Sequence, residues 1–306
     1  MYIDLVRRVL EQAVDTYATE HGETVSTVLS QIREQIDKTS TEYRKDEPQI
    51  KYHDALCRLG YLYRHATANA TLFELVVRES GELRSVVRAS VDGKLEICAV
   101  GGGPGTELLG LVKYLLQCRL GFPRKVVFTV LDLVPQWAET WQQLADASED
   151  ELRKTLKDEK HACLVIAPVL LPLDATDASA FKSYAYQFGR ANIIVFNYLF
   201  SERKTKLPNL KKTLKHLHSV AASGCVFVVI DRLEKNPTFM NDVVALFSDL
   251  FGVTVRAHTF RGTLDGDEQT ADMGTMLNNV LGNPRVRFFT DMYRDPTVFW
   301  LVVTKP

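Results

Sequence analysis

The spacing of hydrophobic positions divides the chain near residue 93. Before this point, apolar residues recur every three or four positions, the period that gathers them on one face of a helix. The first such stripe consists of Ile3, Val6, Val9, Leu10 and Val14. The same period predicts further helices over roughly 25–36, 53–63 and 69–79, with the polar stretch 39–51 as a connection. We therefore assign residues 1–92 to an N-terminal helical region.

After Gly93, short apolar runs alternate with amphipathic helices. The runs that predict strands cover 95–100, 126–131, 164–171, 193–196, 225–230, 253–257 and 298–303. Strands that are apolar throughout and alternate with helices indicate a mostly parallel sheet with helices on both faces. We therefore expect an α/β domain over residues 93–306. The stretch 261–284, rich in Gly, Asp and Asn, is long for a loop and is expected to be either functional or mobile.

Charge and cysteine content narrow the classes of function. The formal net charge is −1 over 306 residues, so nucleic-acid binding would have to rest on a local basic patch. The five cysteines form no Cys-x-x-Cys pair, which favours free thiols in a reducing compartment and no metal centre. No apolar stretch approaches the 18 residues of a membrane span. The expected location is therefore the cytoplasm or the nucleus, away from membranes.

The most informative segment is a glycine-rich turn between the first strand and the helix that follows it. The strand 95–100 runs into Gly101, Gly102, Gly103 and Gly105. Glycine lets the backbone approach a ligand closely, and the start of a helix offers free N–H groups to a polar or anionic group. The segment is therefore either a ligand-binding loop or a tight turn without a ligand.

Acidic residues follow the second and third strands. Asp132 ends the second strand, where a carboxylate can accept hydrogen bonds from both hydroxyls of a ribose. A helix N-cap is its alternative role. Asp174 and Asp177 follow the third strand, where one of them can accept a hydrogen bond from an adenine amino group and the other can cap the next helix. We favour Asp174 for the ligand.

This arrangement resembles the class I S-adenosylmethionine-dependent methyltransferases over about residues 93–306. The resemblance rests on the glycine loop, Asp132 and Asp174, in this order on alternating strands and helices. It implies a seven-stranded, mostly parallel, Rossmann-like sheet whose last strand pairs antiparallel with the sixth, and S-adenosyl-L-methionine as the cofactor. It also assigns the loop 101–105 to the methionine part of the cofactor, Asp132 to the ribose and Asp174 to the adenine.

One position departs from the family pattern. The family usually carries an acidic residue two positions before the first glycine, where this chain has Ala99. Glu107, in the first turn of the following helix, can contact the ammonium group of the cofactor instead. Its alternative role is a favourable charge at the positive end of the helix.

The fourth strand leads to the expected reaction site, because chemistry in this fold occurs beyond the carboxyl ends of the strands. Asn197, Tyr198 and Glu202 are the candidates there. The pattern Asn197-x-x-Phe200 resembles the Asn-Pro-Pro-Tyr/Phe signature of enzymes that methylate amino groups of bases, without the two prolines. In that signature the aromatic ring stacks on the base, so Phe200 is expected either to stack in this way or to pack in the core.

A basic run follows this site, with no Asp or Glu between residues 203 and 230. It comprises Arg203, Lys204, Lys206, Lys211, Lys212 and Lys215. These cations either hold the phosphates of RNA or form a solvated helix face.

The predicted function is therefore methyl transfer from S-adenosyl-L-methionine to a nucleic-acid base, in RNA. The alternatives are transfer to a small molecule or a protein, and a catalytically inactive sensor or scaffold that binds the cofactor. A nicotinamide-dependent oxidoreductase is disfavoured by the Gly-x-Gly-x-Gly spacing and the lack of a Tyr-x-x-x-Lys set. The N-terminal helical region is expected to act as a lid on the cofactor pocket or as a surface for a protein partner.

Overall fold

The computed structural model describes most of the chain. The described residues are 2–43, 45, 48–118, 122–155, 164–233, 238–261 and 297–306. Cys163 and all but the first residue of the glycine-rich stretch 261–284 lie outside them, so the predictions made there are not addressed.

The described strands form one seven-stranded sheet in the order β3-β2-β1-β4-β5-β7-β6. The strands are Lys94–Val100 (β1), Lys125–Asp132 (β2), Val165–Pro172 (β3), Ile193–Asn197 (β4), Val226–Arg232 (β5), Ala257–Arg261 (β6) and Thr297–Thr304 (β7). Strands β1 to β5 run parallel, whereas β7 is antiparallel to both β5 and β6. The predicted α/β fold, with its antiparallel final pair, is confirmed.

The sixth strand differs from the prediction. The apolar run 253–257 was expected to form it, but the strand begins where that run ends and continues to Arg261. Val255 is buried without belonging to a strand. Strand β6 pairs with β7 alone and lies at the edge of the sheet, where partly exposed residues replace the apolar run of a central strand. A search for apolar runs therefore places it too early.

Helices cover both faces of the sheet. They are Tyr2–His21 (α1), Val25–Glu42 (α2), Ala55–Glu79 (α3), Gly81–Ala89 (α4), Thr106–Cys118 (α5), Trp137–Thr155 (α6), Ala178–Phe181 (α7), Ala185–Arg190 (α8), Leu199–Glu202 (α9), Leu207–Val220 (α10) and Thr238–Phe251 (α11). Alternate residues of β1 point to opposite faces. Leu95 and Ile97 pack in a core with α5 and α6, whereas Cys98 and Val100 pack in a second core with α10 and α11.

The N-terminal helices pack directly on the sheet region. Helix α3 is one continuous helix where two were predicted, because buried alanines such as Ala66 and Ala70 continue the helix between its two apolar stripes. Leu72 and Phe73 of α3 belong to the same core as β1 and α5. A Cβ atom at Gly110 of α5 would lie 2.5 Å from the carbonyl oxygen of Ala70, so only glycine allows the two helices to approach this closely. Residues 1–92 and 93–306 therefore share a core.

The apolar stripes of α1 and α2 are also buried within the chain. Their members include Val6, Leu10 and Leu29, and they pack against Leu109 of α5 and Leu144 of α6. A surface for a protein partner on these helices stays a prediction, and it would have to use their polar faces. No described helix has the length and apolar character required to cross a membrane.

Candidate functional site

A cleft opens at the carboxyl ends of β1, β2, β3 and β4. The space between its walls is about 660 Å³, counting the solvent at its open mouth. Seven of the candidate cofactor-binding and catalytic residues line it, and they are Gly101, Gly103, Asp132, Asp174, Asn197, Tyr198 and Glu202. Residues from four separate strand ends therefore converge on one cavity, as expected for a parallel sheet.

The glycines of the loop divide into two pairs. Gly101 and Gly103 line the cleft with φ angles of 70° and 50°, a left-handed conformation that glycine adopts without strain. Gly102 and Gly105 lie behind the cleft wall. A Cβ atom at Gly105 would lie 2.2 Å from the ring of Trp141, and one at Gly102 would lie 2.8 Å from the side chain of Ala99. The structure therefore accounts for Gly102 and Gly105 by packing.

Asp132 is bonded to the glycine loop. Its Oδ2 atom accepts the backbone N–H of Gly103 at 2.9 Å, and its Oδ1 atom accepts the N–H of Val134 at 2.9 Å. Burial raises the pKa of this carboxyl, whereas the two N–H groups and the charge of Arg203 oppose the increase. Helix α6 begins only at Trp137, so Asp132 is not its N-cap. Each oxygen keeps a lone pair for a further donor in the cleft.

The two acidic residues after β3 have different roles. Asp177 is the N-cap of α7, because its Oδ1 atom accepts the N–H of Ser179 at 2.9 Å. Asp174 lines the cleft. Its Oδ1 atom accepts hydrogen bonds from both the N–H and the hydroxyl of Thr176, each at 2.8 Å. Asp174 therefore lies at the cleft and Asp177 caps α7, whereas a contact between Asp174 and an adenine stays a prediction.

Asn197 lines the cleft and pairs with Glu107, which is buried behind it. The Nδ2 atom of Asn197 donates to the Oε1 atom of Glu107 at 2.7 Å. Burial raises the pKa of Glu107 to about 6, and the hydrogen bond from Asn197 opposes this increase. The Oε2 atom of Glu107 and the Oδ1 atom of Asn197 have no hydrogen-bond partner among the described residues. Buried polar atoms left in this way usually meet a ligand or an ordered water.

Tyr198 and Glu202 are held in the cleft by a short helix after β4. Tyr198 has a φ of 56°, a strained conformation for a residue other than glycine and one that is frequent at functional sites. Asp231, at the end of β5, accepts the N–H groups of Phe200 and Ser201 and so anchors the start of α9. The side chain of Arg232 lies 5.7 Å from the centre of the Tyr198 ring.

Phe200 does not reach the cleft. It is 1% exposed and packs against Phe196 and Phe247, with ring centres 5.6 and 6.0 Å apart. Of the two roles expected for Phe200, the structure shows core packing, so the ring does not stack on a base. The comparison with the Asn-Pro-Pro-Tyr/Phe signature is therefore limited to Asn197.

Aromatic rings from elsewhere line the cleft instead. Tyr52 and Tyr61 come from the N-terminal region, and Trp137 comes from the start of α6. Their ring centres are 5.6 to 5.9 Å apart, a spacing typical of packed aromatic rings. Sequence analysis missed Tyr52, because it lies in a short segment between two helices where no periodicity marks it.

The basic run divides between the cleft and the surface of α10. Arg203 lines the cleft, and Lys204 lies with its Nζ atom 5.5 Å from the centre of the Phe239 ring. The exposed members are Lys206, Lys211, Lys212 and Lys215. The opposite face of α10 is buried, so these lysines point away from the core.

Comparisons with known proteins give matches among solved structures only. No protein-family model and no curated protein matches the chain. An O-methyltransferase family protein from Burkholderia thailandensis is 14% identical with a TM-score of 0.43, over 90% of this chain and 72% of that one. A SAM-dependent methyltransferase from Archaeoglobus fulgidus is 11% identical with a TM-score of 0.36, over 77% of this chain and 94% of that one.

A third solved structure is the precorrin-6y C5,15-methyltransferase from Geobacter metallireducens. It is 12% identical with a TM-score of 0.34, over 74% of this chain and 90% of that one. At these identities the likeness concerns the fold, which the strand order of this chain establishes by itself. Function therefore has to be argued from the cleft.

Proposed function

We propose that the chain is an S-adenosylmethionine-dependent methyltransferase. The observation that carries this proposal is the contact between Asp132 and the N–H of Gly103 at 2.9 Å, at the edge of a cleft that Asp174 also lines. A nucleoside whose ribose meets Asp132 can extend its base toward Asp174 along the same edge. This is the arrangement that the sequence resemblance implies for the adenosine part of the cofactor.

The residues around the cleft fit the remainder of the cofactor as well. The unpaired Oδ1 atom of Asn197 and Oε2 atom of Glu107 are acceptors suited to an ammonium group, and Glu107 takes the place of the acidic residue missing at Ala99. Glu107 itself lies behind Asn197, so a small shift of the Asn197 side chain would give a ligand access to it. The backbone at Gly101 and Gly103 offers a surface without side chains to the methionine part.

The chemistry places few demands on the protein. A sulfonium-bound methyl group is already activated, so holding the acceptor in line with it supplies most of the acceleration. The residues of the chain have to bind the cofactor, orient the acceptor and exclude water from the cleft.

Calorimetry tests the cofactor assignment. We expect S-adenosylmethionine and S-adenosylhomocysteine to bind with one site per chain and NAD to give no heat. Binding of NAD without a response to S-adenosylmethionine would contradict the proposal and favour an oxidoreductase.

For the acceptor, we propose a base in RNA. The support is the position of the basic run beside the cleft, with Arg203 in its wall and Lys211, Lys212 and Lys215 exposed on α10. Phosphates bound along these cations would deliver a base to Asn197, Tyr198 and Glu202. Because Phe200 is buried in the core, the ring that stacks on the base has to be one of the aromatic rings that line the cleft, such as Tyr52, Tyr61 or Trp137.

Charge reversal tests the RNA proposal. The double variant Lys211→Glu/Lys212→Glu is expected to weaken RNA binding by about tenfold or more at low salt, with unchanged affinity for S-adenosylmethionine. Lys125→Glu, exposed at the amino end of β2, is the matched control. Equal RNA affinity in all three proteins would exclude the basic run as a phosphate site.

Labelled methyl transfer separates the remaining alternatives. We expect label from S-adenosylmethionine in the RNA fraction of an extract, and not in the protein or metabolite fractions. Label in one of those two fractions would reassign the acceptor. Binding of the cofactor without transfer into any fraction would instead identify the chain as a sensor or scaffold.

A further inference from the structure

The carboxylate of Glu202 has no hydrogen-bond partner among the described residues, although Glu202 lies in the wall of the cleft. Its backbone N–H donates to the carbonyl of Tyr198, and the residue is only partly exposed. Within the described part of the chain, no side-chain hydrogen bond or ion pair to this carboxylate is present. A carboxylate that is largely removed from water and left without a partner indicates a group that meets a donor on a ligand.

The surroundings of Glu202 come from four parts of the chain. The titratable and charged groups that act on it are Arg232 and Asp231 at the end of β5, Tyr198 and Arg203 beside it on the chain, Asp132 at the end of β2, and Tyr52 of the N-terminal region. Burial raises the pKa of Glu202 to about 7, while the two arginines lower it and the two aspartates raise it. At neutral pH this carboxyl is therefore close to half ionised, the condition in which a group exchanges protons most effectively.

Aromatic rings line the same cleft as Glu202. Tyr52 and Tyr61 line the same cleft, and their rings meet edge to face, with centres 5.6 Å apart and an angle of 87°. The charge of Glu202 is the second cause, after burial, that raises the pKa of Tyr52, so these two side chains are close. Aromatic walls with a few polar groups select flat ligands.

We propose that Glu202 is the general base of the transfer, and that the acceptor is a flat ring whose reacting nitrogen or oxygen carries a proton. This inference rests on the proposed methyltransferase function and adds the role of Glu202 and the requirement that the reacting atom of the acceptor carries a proton. Glu202 takes the proton from the reacting atom while the electron pair of that atom forms the bond to the methyl carbon, and the electrons of the broken carbon–sulfur bond stay on sulfur. An acceptor with a free lone pair and no proton would have no use for Glu202.

The test compares two small rings that differ in one proton. Binding of 4-fluorophenol and 4-fluoroanisole is measured by fluorine NMR in the presence of S-adenosylhomocysteine, in wild type, Glu202→Gln and Glu139→Gln. Glu139 is exposed on α6 and serves as the control carboxylate. We expect affinity for the phenol to rise about tenfold from pH 6 to pH 8, following the ionised fraction of a carboxyl with a pKa of about 7.

The expected rise occurs in wild type and in Glu139→Gln and is lost in Glu202→Gln. The anisole, which has no proton to donate, binds independently of pH. The inference is overturned when neither ring binds, or when the phenol and the anisole bind with the same affinity. It is also overturned when Glu202→Gln still binds the phenol more tightly at pH 8 than at pH 6. Binding of S-adenosylhomocysteine is measured first, so its absence counts against the proposed function rather than against the role of Glu202.

Discussion

Asp231 accepts the backbone N–H of Phe200 at 2.9 Å, although 31 positions separate the two residues. The same oxygen accepts the N–H of Ser201 at 3.0 Å, and Asp231 is fully buried. The start of α9 has no side-chain cap from Tyr198, so Asp231 supplies the acceptor that these N–H groups need. The end of β5 therefore fixes the helix that carries Glu202.

Replacement of Asp231 should be costly. Asp231→Ala leaves two buried N–H groups without an acceptor, and we expect a loss of about 3 kcal/mol in the free energy of unfolding. Asp177→Ala is the matched control, because Asp177 caps the four-residue α7 from an exposed position. It should cost about 1 kcal/mol or less. Urea denaturation measures both, and equal losses would show that Asp231 does not anchor α9.

Two glycines of the loop should respond differently to alanine. Gly105→Ala combines a left-handed backbone with a Cβ atom 2.2 Å from the Trp141 ring, so we expect it to lose about 3 kcal/mol or more. Gly103→Ala has the strained backbone but meets its nearest atom, on Trp137, at 3.7 Å, so about 1–2 kcal/mol is expected. Chemical denaturation of both variants checks this order. A more stable Gly105→Ala than Gly103→Ala would contradict it.

The buried carboxyl of Glu107 should make stability depend on pH. Burial raises its pKa in the folded protein to about 6, above the value of an exposed carboxyl. The folded state therefore holds the proton more tightly, and this contribution to stability is present below about pH 4.5 and is lost as the pH rises through 6. Glu107→Gln removes the charge and keeps an acceptor for Asn197.

We expect Glu107→Gln to be more stable than wild type by about 2 kcal/mol at pH 8 without ligand. The difference should disappear at pH 4, where Glu107 is protonated in both the folded and the unfolded protein. Urea denaturation at the two pH values provides the measurement. If wild type is the more stable of the two at pH 8, ionisation of Glu107 does not lower the free energy of unfolding, and the prediction is wrong.

Asp132→Asn should weaken binding of S-adenosylmethionine by about 100-fold, because a neutral amide loses the charge-assisted hydrogen bonds to the ribose hydroxyls. Asp177→Asn, outside the cleft, should bind as wild type does. Calorimetry gives both dissociation constants. Unchanged affinity in Asp132→Asn would show that the ribose does not contact Asp132. The affinity of Asp174→Asn would then show whether Asp174 contacts the adenine.

The sheet and one edge of the cleft were predictable because their signals are local. Apolar runs placed β1, β2 and β5 within two residues of their observed ends, and the turn after β1 is marked by its glycines. Asp132 contacts that turn through the N–H of Gly103, and Asp174 lines the same cleft, so both were found from their positions after strand ends. The part of the site that depends on neighbouring strand ends was therefore open to sequence reasoning.

The acceptor side was not predictable because its signals are distant or misleading. Tyr52 reaches the cleft from a segment with no regular pattern, more than 140 positions before Glu202 in the chain. The sequence left stacking and packing open for Phe200, and the contacts with Phe196 and Phe247 in the same core show packing. The hydrogen bond from the N–H of Phe200 to Asp231 requires β4 and β5 to be neighbours in the sheet, and no spacing in the sequence reveals this.

Because α3 and α5 approach closely at Gly110, residues 93–306 are not expected to fold well without residues 1–92. A fragment that starts at residue 93 would expose to water the side of α5 that α3 now covers, including Leu109, and would invite aggregation. The same cut would delete Tyr52 and Tyr61 and leave one side of the cleft open. Chains that lack residues 1–92 are therefore expected to fail both as soluble proteins and as receptors for an acceptor, and crystallisation or screening should include these residues.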